Sequence, residues 1–122
     1  MDIGKLKIGI CDDSAEDLKK IRRAFCTSAE KLGEKDISLY LYKDGESLYR
    51  DSQNQGFHLV FLDWEMPELN GFDLAGKLYI ENPELKVVFV SNYENVVFDS
   101  YEYTPLWFVR KSMLERDMMK AL

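Results

Sequence analysis

The sequence predicts an α/β domain in which a parallel β-sheet carries helices on both faces. Apolar, strand-like runs alternate five times with helical patterns, and the connections between them are short. No internal repeat, low-complexity tract or linker interrupts this alternation. At 122 residues, the chain has the size of one domain with one good core. We therefore treat residues 1–122 as a single domain.

The first βα unit is predicted from an alternating strand and an amphipathic helix. Residues 6–10 alternate between apolar and polar or small side chains, which is typical of a strand. The following helix has Ser14 or Asp13 as its N-cap and ends at Gly33. Apolar residues at helical spacing form its inward face: Leu18, Ile21, Phe25 and Leu32.

The second unit and the third strand follow the same logic. Residues 37–42 alternate as a strand, Asp44 and Gly45 form a turn, and residues 46–51 form a short helix. Residues 57–62 are almost continuously apolar, as in a central parallel strand that is covered on both faces. We expect His58 to be packed within this strand.

The remaining units are predicted from shorter signals. Pro67 and the pair Asn70-Gly71 break the chain before a third helix, whose inward face includes Leu74, Ala75 and Leu78. Residues 87–90 and 106–109 are predicted as the fourth and fifth strands. Residues 94–101 and 112–122 are predicted as the fourth and fifth helices.

The carboxyl ends of the strands are where a parallel sheet of this kind binds its ligands. The polar residues that follow the first, third, fourth and fifth strands are Asp12 and Asp13, Asp63, Ser91, and Lys111. Four of the five strands therefore end in a residue that is suited to phosphate or metal chemistry.

Converging carboxylates repel one another, and a divalent cation relieves that repulsion. Mg²⁺ prefers oxygen ligands and often takes one or two carboxylates together with water and phosphate oxygens. Asp13 and Asp63 are the expected carboxylate ligands, and the backbone carbonyl of Glu65 is a third. Asp12 is expected to complete the metal site from behind these ligands.

An aspartate beside such a metal can act as a nucleophile toward phosphorus, with formation of an aspartyl-phosphate. Asp63 is the candidate nucleophile. The hydroxyl group of Ser91 and the ammonium group of Lys111 are suited to bind the remaining phosphoryl oxygens from two sides.

Each of these residues also has a purely structural interpretation. In that interpretation, Asp12 and Asp13 open a helix and serve only its N-terminus, while Asp63 precedes a loop that contains Pro and Gly and only forms a turn. In the same interpretation, Ser91 caps a strand end and Lys111 is a solvated surface lysine. The joint placement of all five residues favours the functional interpretation.

The sequence resembles the receiver domain of bacterial two-component response regulators over its whole length. The residues that carry the resemblance are Cys11-Asp12-Asp13-Ser14, Phe61-Leu62-Asp63-Trp64-Glu65-Met66-Pro67, Asn70-Gly71-Phe72-Asp73-Leu74, Val88-Phe89-Val90-Ser91 and Phe108-Val109-Arg110-Lys111. The resemblance implies a flavodoxin-like (βα)5 fold with a five-stranded sheet in the order 2-1-3-4-5. The last of these segments is more similar to receivers that are attached to LytTR-type DNA-binding domains.

The resemblance also assigns roles to single residues. It makes Asp63 the phosphoacceptor and Mg²⁺ the metal at Asp12 and Asp13. Ser91 becomes the switch hydroxyl, Lys111 the phosphate-binding lysine and Phe108 the switch aromatic residue. The implied donor is a phosphohistidine on a sensor histidine kinase. Such a domain catalyses only its own phosphorylation and a slow hydrolysis, and it is not expected to be an enzyme in the usual sense.

Two positions depart from the family pattern. Ser112 follows Lys111, where the family usually has a proline after a cis peptide bond. Because a cis bond before serine costs about 2.5–4 kcal/mol, we expect a trans bond and a different lysine placement. Phe108 lacks the hydroxyl group of a tyrosine, so switching by ring rotation is a weaker expectation at this position.

Three alternative functions remain open at this point. A degenerate receiver would act only as an interaction module. A haloacid-dehalogenase-like phosphatase also uses an aspartate and Mg²⁺, but its Asp-x-Asp motif belongs on the first strand. A flavodoxin-type flavin binder needs a phosphate cradle after the first strand, where this chain is acidic.

Charge and composition limit the partners of these residues. The net charge of −6 disfavours binding of nucleic acid by this domain. No apolar run is long enough to span a membrane, and Cys11 and Cys26 show no metal-binding spacing. We therefore expect a cytoplasmic domain with reduced cysteines, of which Cys11 is buried. An effector domain is expected beyond residue 122.

The aromatic residues between positions 89 and 108 predict an output surface. Seven of them fall within this stretch: Phe89, Tyr93, Phe98, Tyr101, Tyr103, Trp107 and Phe108. A small core cannot easily bury all of them. We expect a face formed by the fourth helix, fifth strand and fifth helix to support a homodimer after phosphorylation.

Overall fold

A parallel sheet with helices on both faces forms the core of the computed structural model. The structure describes residues 6–33, 36–63, 71–91 and 106–110, and for residues 71–72, 91 and 106–110 it describes the backbone alone. The elements are β1 (Leu6–Cys11), α1 (Ala15–Lys31), β2 (Ile37–Tyr42), α2 (Gly45–Ser52), β3 (Leu59–Asp63), α3 (Gly71–Glu81), β4 (Lys86–Ser91) and β5 (Leu106–Arg110). The predicted helices at 94–101 and 112–122 lie outside the described residues.

The strand order is β2-β1-β3-β4-β5, and every neighbouring pair is parallel. For the first four strands, this is the order that the resemblance implied. In register, Cys11 lies between Tyr42 and Leu62, so the carboxyl ends of β1, β2 and β3 meet at one edge of the sheet.

Two apolar clusters, one on each face, hold the helices against the sheet. Alternate residues of each central strand enter opposite clusters: Ile8, Ile10 and Phe61 pack with α1, whereas Val60, Leu62 and Phe89 pack with α2 and α3. Because β3 is fully buried on both faces, its sequence is continuously apolar up to Asp63. The predicted layering is confirmed.

The helix boundaries follow from local side-chain chemistry. Ser14 is the N-cap of α1, since its hydroxyl oxygen accepts a bond from the Asp17 N–H at 3.2 Å. Gly33 follows the end of α1 with a φ of 80°, a conformation that glycine adopts without strain. Asp44 is the N-cap of α2, which therefore begins at Gly45.

Two side-chain placements differ from the prediction. Leu32 is 51% exposed, because α1 ends at Lys31 and Leu32 is its C-cap instead of part of its inward face. His58 is exposed instead of packed, because β3 begins one residue later, at Leu59. The imidazole Nδ1 of His58 accepts a hydrogen bond from the Lys7 backbone N–H at 3.0 Å, which ties the chain before β3 to β1.

No helix in the described part of the chain is long and apolar enough to cross a membrane.

Candidate metal and phosphoacceptor site

Three carboxylates converge at the carboxyl edge of the sheet. One oxygen each from Asp12, Asp13 and Asp63 lies within 4.8 Å of the others. Asp12 and Asp63 are buried, with 0% and 7% of their surface exposed, whereas Asp13 is exposed to solvent. The sheet thus brings together side chains that are 50 residues apart in sequence, because β1 and β3 are neighbours.

Asp12 follows the end of β1 and is held there by two hydrogen bonds, one to β2 and one to the start of α1. Its backbone N–H donates to the carbonyl oxygen of Tyr42 at 3.0 Å, which continues the ladder to β2. Its Oδ1 atom accepts the Ser14 N–H at 2.9 Å, at the amino end of α1. The positive end of the helix dipole also favours a carboxylate there. Asp12 is therefore oriented by the loop that follows β1. Of the two residues predicted as the N-cap of α1, Ser14 and Asp13, the structure uses Ser14.

The neighbouring strand places Ser91 close to Asp63 along the backbone. Asp63 is the register partner of Val90, so Ser91 is the next residue on the strand beside it. Ser91 in turn pairs with Arg110, and Phe108 pairs with Phe89. The backbone register is thus compatible with a hydroxyl group beside Asp63. Lys111, Glu65 and Trp64 lie outside the described residues.

The buried thiol of Cys11 reports the negative field at this edge. Burial, and to a smaller extent the negative charges of Asp44, Asp12, Asp63 and Asp13, together raise the pKa of Cys11 from 9.0 to about 12. The presence of Asp44 in this group was not predicted. Its position after β2, at the same edge as Asp12, was the available signal.

Asp44 has a structural task that separates it from the other three. Its Oδ1 accepts the Ser47 N–H at 2.7 Å and its Oδ2 accepts the Ser47 hydroxyl at 3.0 Å. These bonds lower the pKa of Asp44 below its usual value. Both oxygens are engaged at the start of α2, so we assign Asp44 to the helix cap.

The donor set fits a hard divalent cation. All three groups offer carboxylate oxygens, and two oxygens bound to one Mg²⁺ at ~2.1 Å lie at most about 4.2 Å apart. The spacing of up to 4.8 Å needs only a small inward movement of one side chain. The exposed side of the cluster, at Asp13, leaves room for water or phosphate oxygens.

A separate concave region lies at the opposite, amino-terminal edge of the sheet, with a volume of about 350 Å³. Its polar lining is used within the protein. Asn82 Nδ2 donates to the Phe57 carbonyl at 3.4 Å, and the Ser52 hydroxyl donates to the Tyr49 carbonyl at 2.6 Å. Its lining does not include the acidic cluster, which is the stronger candidate site.

Comparison with known proteins decides the family. A profile of the response regulator receiver domain matches residues 8–122. The chain is a response regulator receiver domain. This membership disfavours the phosphatase and flavin-binding alternatives, and it makes the domain part of a two-component signalling switch.

Two curated relatives and one solved structure illustrate the relationship. The receiver is 31% identical over 85 residues to the response regulator receiver protein CpdR of Brucella abortus, covering 70% of this chain and 68% of CpdR. It is 32% identical over 87 residues to the transcriptional regulatory protein RprY of Bacteroides fragilis, covering 71% of this chain but only 34% of RprY. A response regulator receiver protein from Sinorhizobium medicae superposes with a TM-score of 0.80 at 13% identity, over 98% of this chain and 93% of that one. That likeness supports the flavodoxin-like receiver fold.

Proposed function

We propose that this receiver accepts a phosphoryl group on Asp63 from a phosphohistidine of a partner histidine kinase, in a reaction that requires Mg²⁺. The observation that carries this proposal is the convergence of Asp12, Asp13 and Asp63 within 4.8 Å at the carboxyl edge of the sheet. A carboxylate oxygen of Asp63 forms the new bond to phosphorus while the bond from phosphorus to the histidine nitrogen breaks.

The other residues of the site prepare this transfer. Asp12, Asp13 and Asp63, with the backbone carbonyl of Glu65, would hold the cation. The cation would supply positive charge that screens the carboxylates from the incoming phosphoryl group. Ser91 and Lys111 would bind the phosphoryl oxygens, and Phe108 would respond to the movement of Ser91. The domain would act once per phosphorylation and would hydrolyse its aspartyl-phosphate slowly, without turnover of a separate substrate.

The proposed output extends beyond the site. The complete domain would have five βα units, and phosphorylation would change the surface formed by residues 94–122 and favour a homodimer through it. A LytTR-type DNA-binding effector domain beyond residue 122 would convert this change into control of transcription in the cytoplasm. The segment Phe108-Val109-Arg110-Lys111 supports this effector class. RprY, of which this chain spans about a third, is itself named as a transcriptional regulatory protein.

Phosphorylation with a small donor tests the proposal directly. Acetyl phosphate and Mg²⁺ should add one phosphate, measured by intact-protein mass spectrometry, and hydroxylamine should remove it. Asp63→Asn should abolish the added mass, because the amide lacks the nucleophilic carboxylate. Asp36→Asn is the matched control, since Asp36 is exposed and lies at the other end of the sheet, and it should be labelled normally. Full labelling of the Asp63→Asn variant would refute the assignment.

A further inference from the structure

Asp44 is a fourth carboxylate at the carboxyl edge of the sheet. It follows the end of β2, and β2 lies beside β1 in the sheet order. The Asp12 N–H donates to the carbonyl oxygen of Tyr42, the last residue of β2, at 3.0 Å. Because neighbouring strands are about 5 Å apart, the end of β2 lies about 5 Å from the end of β1 and about 10 Å from the end of β3. Asp44 is therefore close to the acidic cluster of Asp12, Asp13 and Asp63.

Asp44 is not placed to join the cluster as a metal ligand. One oxygen each from Asp12, Asp13 and Asp63 lies within 4.8 Å of the others, and Asp44 is not part of this group. Both of its oxygens instead accept hydrogen bonds from Ser47, at 2.7 Å and 3.0 Å. Asp44 would therefore act on a cation at the cluster through its charge and not through a bond.

The hydrogen bonds from Ser47 hold this charge in a defined position. They lower the pKa of Asp44 below its ordinary value, so the carboxylate is ionised at neutral pH. Asp44 makes no salt bridge with any residue that the structure describes. The charge of Arg50 has the smallest effect on that pKa, and Arg50 is itself paired with Glu46 at 3.3 Å. The charge of Asp44 is therefore fixed in position and is not neutralised by a contact partner.

The buried thiol of Cys11 shows that the charge of Asp44 acts at the site. Cys11 lies between Tyr42 and Leu62 in register and directly precedes Asp12. Among the charges that act on this thiol, that of Asp44 has the largest effect, ahead of each residue of the cluster. A cation at the cluster would experience the same field, because the end of β1 carries both Cys11 and Asp12.

We propose that Asp44 tunes the metal and phosphoacceptor site by its charge, which strengthens the binding of a divalent cation and slows the approach of an anionic phosphodonor. This inference rests on the proposed function of the site. The two effects have opposite signs, because the cation is positive and the phosphodonor is negative. The site would therefore disfavour a phosphodonor most strongly in the absence of the cation.

The size of both effects follows from the distance and from solvent screening. Asp44 is exposed, so water weakens its electrostatic interactions. For a divalent cation about 10 Å away, the charge should change the dissociation constant about two- to threefold at an ionic strength of 0.05 M, where the Debye length is about 14 Å. At 0.5 M the Debye length is about 4 Å, and the effect should almost disappear.

Asp44→Asn tests the effect on the cation, because it removes the charge and keeps an oxygen that can accept the Ser47 N–H. The dissociation constant of Mg²⁺, measured by isothermal titration calorimetry, should rise about two- to threefold at 0.05 M and match the parent at 0.5 M. Asp36→Asn is the matched control, since the same substitution is made in an exposed residue at the other end of β2, about 25 Å away. This control should bind Mg²⁺ like the parent at both ionic strengths.

The effect on the phosphodonor is measured at a Mg²⁺ concentration that saturates every variant. The second-order rate constant for phosphorylation by acetyl phosphate should be about two- to threefold higher in Asp44→Asn than in the parent at 0.05 M, and equal at 0.5 M. A structural disturbance of the site would instead weaken Mg²⁺ binding and slow phosphorylation together, at both ionic strengths.

The outcomes separate this inference from the proposed function. Unchanged Mg²⁺ affinity of Asp44→Asn at 0.05 M, equal changes in Asp36→Asn, or losses of both properties that do not depend on ionic strength would overturn the role of Asp44. Each of these results leaves phosphorylation of Asp63 in the parent intact. A parent that binds no Mg²⁺ and accepts no phosphate would refute the proposed function and this inference with it.

Discussion

At the scale of single residues, Gly9 and the two cysteines show how closely the sheet and its helices fit. Gly9 lies in the middle of β1, facing α2 and the neighbouring strand. Cys11 is completely buried at the end of the same strand, whereas Cys26 is exposed on α1. Each position has a consequence that can be measured.

Gly9→Ala should destabilise the fold. The added methyl carbon would lie 3.0 Å from Leu48 Cδ1 and 3.2 Å from Val60 Cγ1, which is closer than carbon atoms normally pack. We expect a loss of about 1–3 kcal/mol in the free energy of unfolding, measured in urea, because the Leu48 and Val60 side chains must give way within a closely packed core. Gly76→Ala is the control: it meets no atom within 4 Å, and in the middle of α3 it should stabilise by about 0.5–1 kcal/mol. Equal stability of Gly9→Ala and the parent would show that Leu48 and Val60 can accommodate the added methyl group without loss of packing.

The two thiols should differ greatly in reactivity. At pH 8, Ellman's reagent should modify one thiol of the folded protein rapidly, and that thiol should be Cys26. Cys11 has no exposed surface and a pKa raised to about 12, so very little reactive thiolate is present and the reagent cannot reach it. In Cys26→Ser, the rapid phase should disappear, and the remaining thiol should react only after denaturation. A rapid phase in this variant would place Cys11 in contact with solvent.

At the scale of secondary-structure elements, helix α2 depends on its cap. It has eight residues and little intrinsic stability, since an isolated helix of this length is marginal in water. Asp44 satisfies the Ser47 N–H, Leu48 is fully buried against the sheet, and the Tyr42 hydroxyl bonds Asp51 at 2.8 Å. The helix is therefore held by contacts at its start, middle and end.

Asp44→Ala should cost about 1 kcal/mol of stability at pH 7, because the Ser47 N–H loses its acceptor. Asp44→Asn should keep most of this bond. The folded-state pKa of Asp44 lies below its ordinary value of 3.8, so its charge stabilises the fold above that pH. This contribution is lost as the pH falls below 3.8 through the lower folded-state value.

The measurement is urea unfolding of the parent and Asp44→Asn at a series of pH values. The parent should be more stable than Asp44→Asn at pH 5, and this difference in the free energy of unfolding should shrink toward pH 2.5. Asp44 becomes protonated as the pH falls, whereas the asparagine does not titrate in this range. An advantage that stays constant or grows on acidification would contradict the assigned role of the carboxylate.

At the scale of the whole molecule, charge repulsion within the acidic cluster destabilises the folded state, while the packing of the rest of the sheet stabilises that state. Asp12 and Asp63 come from different strands, and folding brings their charges together with that of Asp13. Like charges at such distances repel, and a bound cation reverses the sign of this contribution. Folding and cation binding at this site are therefore linked.

Mg²⁺ should raise the melting temperature, by an amount that grows with the logarithm of the ratio of its concentration to its dissociation constant. At 100 times the dissociation constant, the stabilisation is about 2.7 kcal/mol. Asp13→Asn removes one of the repelling charges and one ligand, so it should be at least as stable as the parent without metal and should respond much less to Mg²⁺.

Calorimetry with added MgCl2, compared with KCl at equal ionic strength, separates binding from charge screening. Asp36→Asn should retain the full response, because Asp36 lies at the opposite edge of the sheet. A parent protein whose melting temperature responds equally to both salts would exclude a specific cation site at the cluster.

The sequence by itself determined the order of elements, the layering and the candidate residues of the site. These features depend on local signals: the continuous apolar run before Asp63 indicates a buried strand, and Ser14 was one of two predicted caps for α1. The motif around Asp63, with Asp12 and Asp13, was sufficient to indicate the family. Short-range periodicity and capping carry this information because each acts within a few residues.

Only the tertiary structure decided how residues from distant segments combine. It placed Asp44 beside the acidic cluster and then engaged both of its oxygens at α2, and it exposed His58 and Leu32, which had been expected to pack. It also left the uncharged strand β2 at the edge of the sheet. These outcomes depend on which strands become neighbours and where each helix ends against the sheet. Local sequence cannot specify them, because the contacts that decide them join residues far apart in the chain.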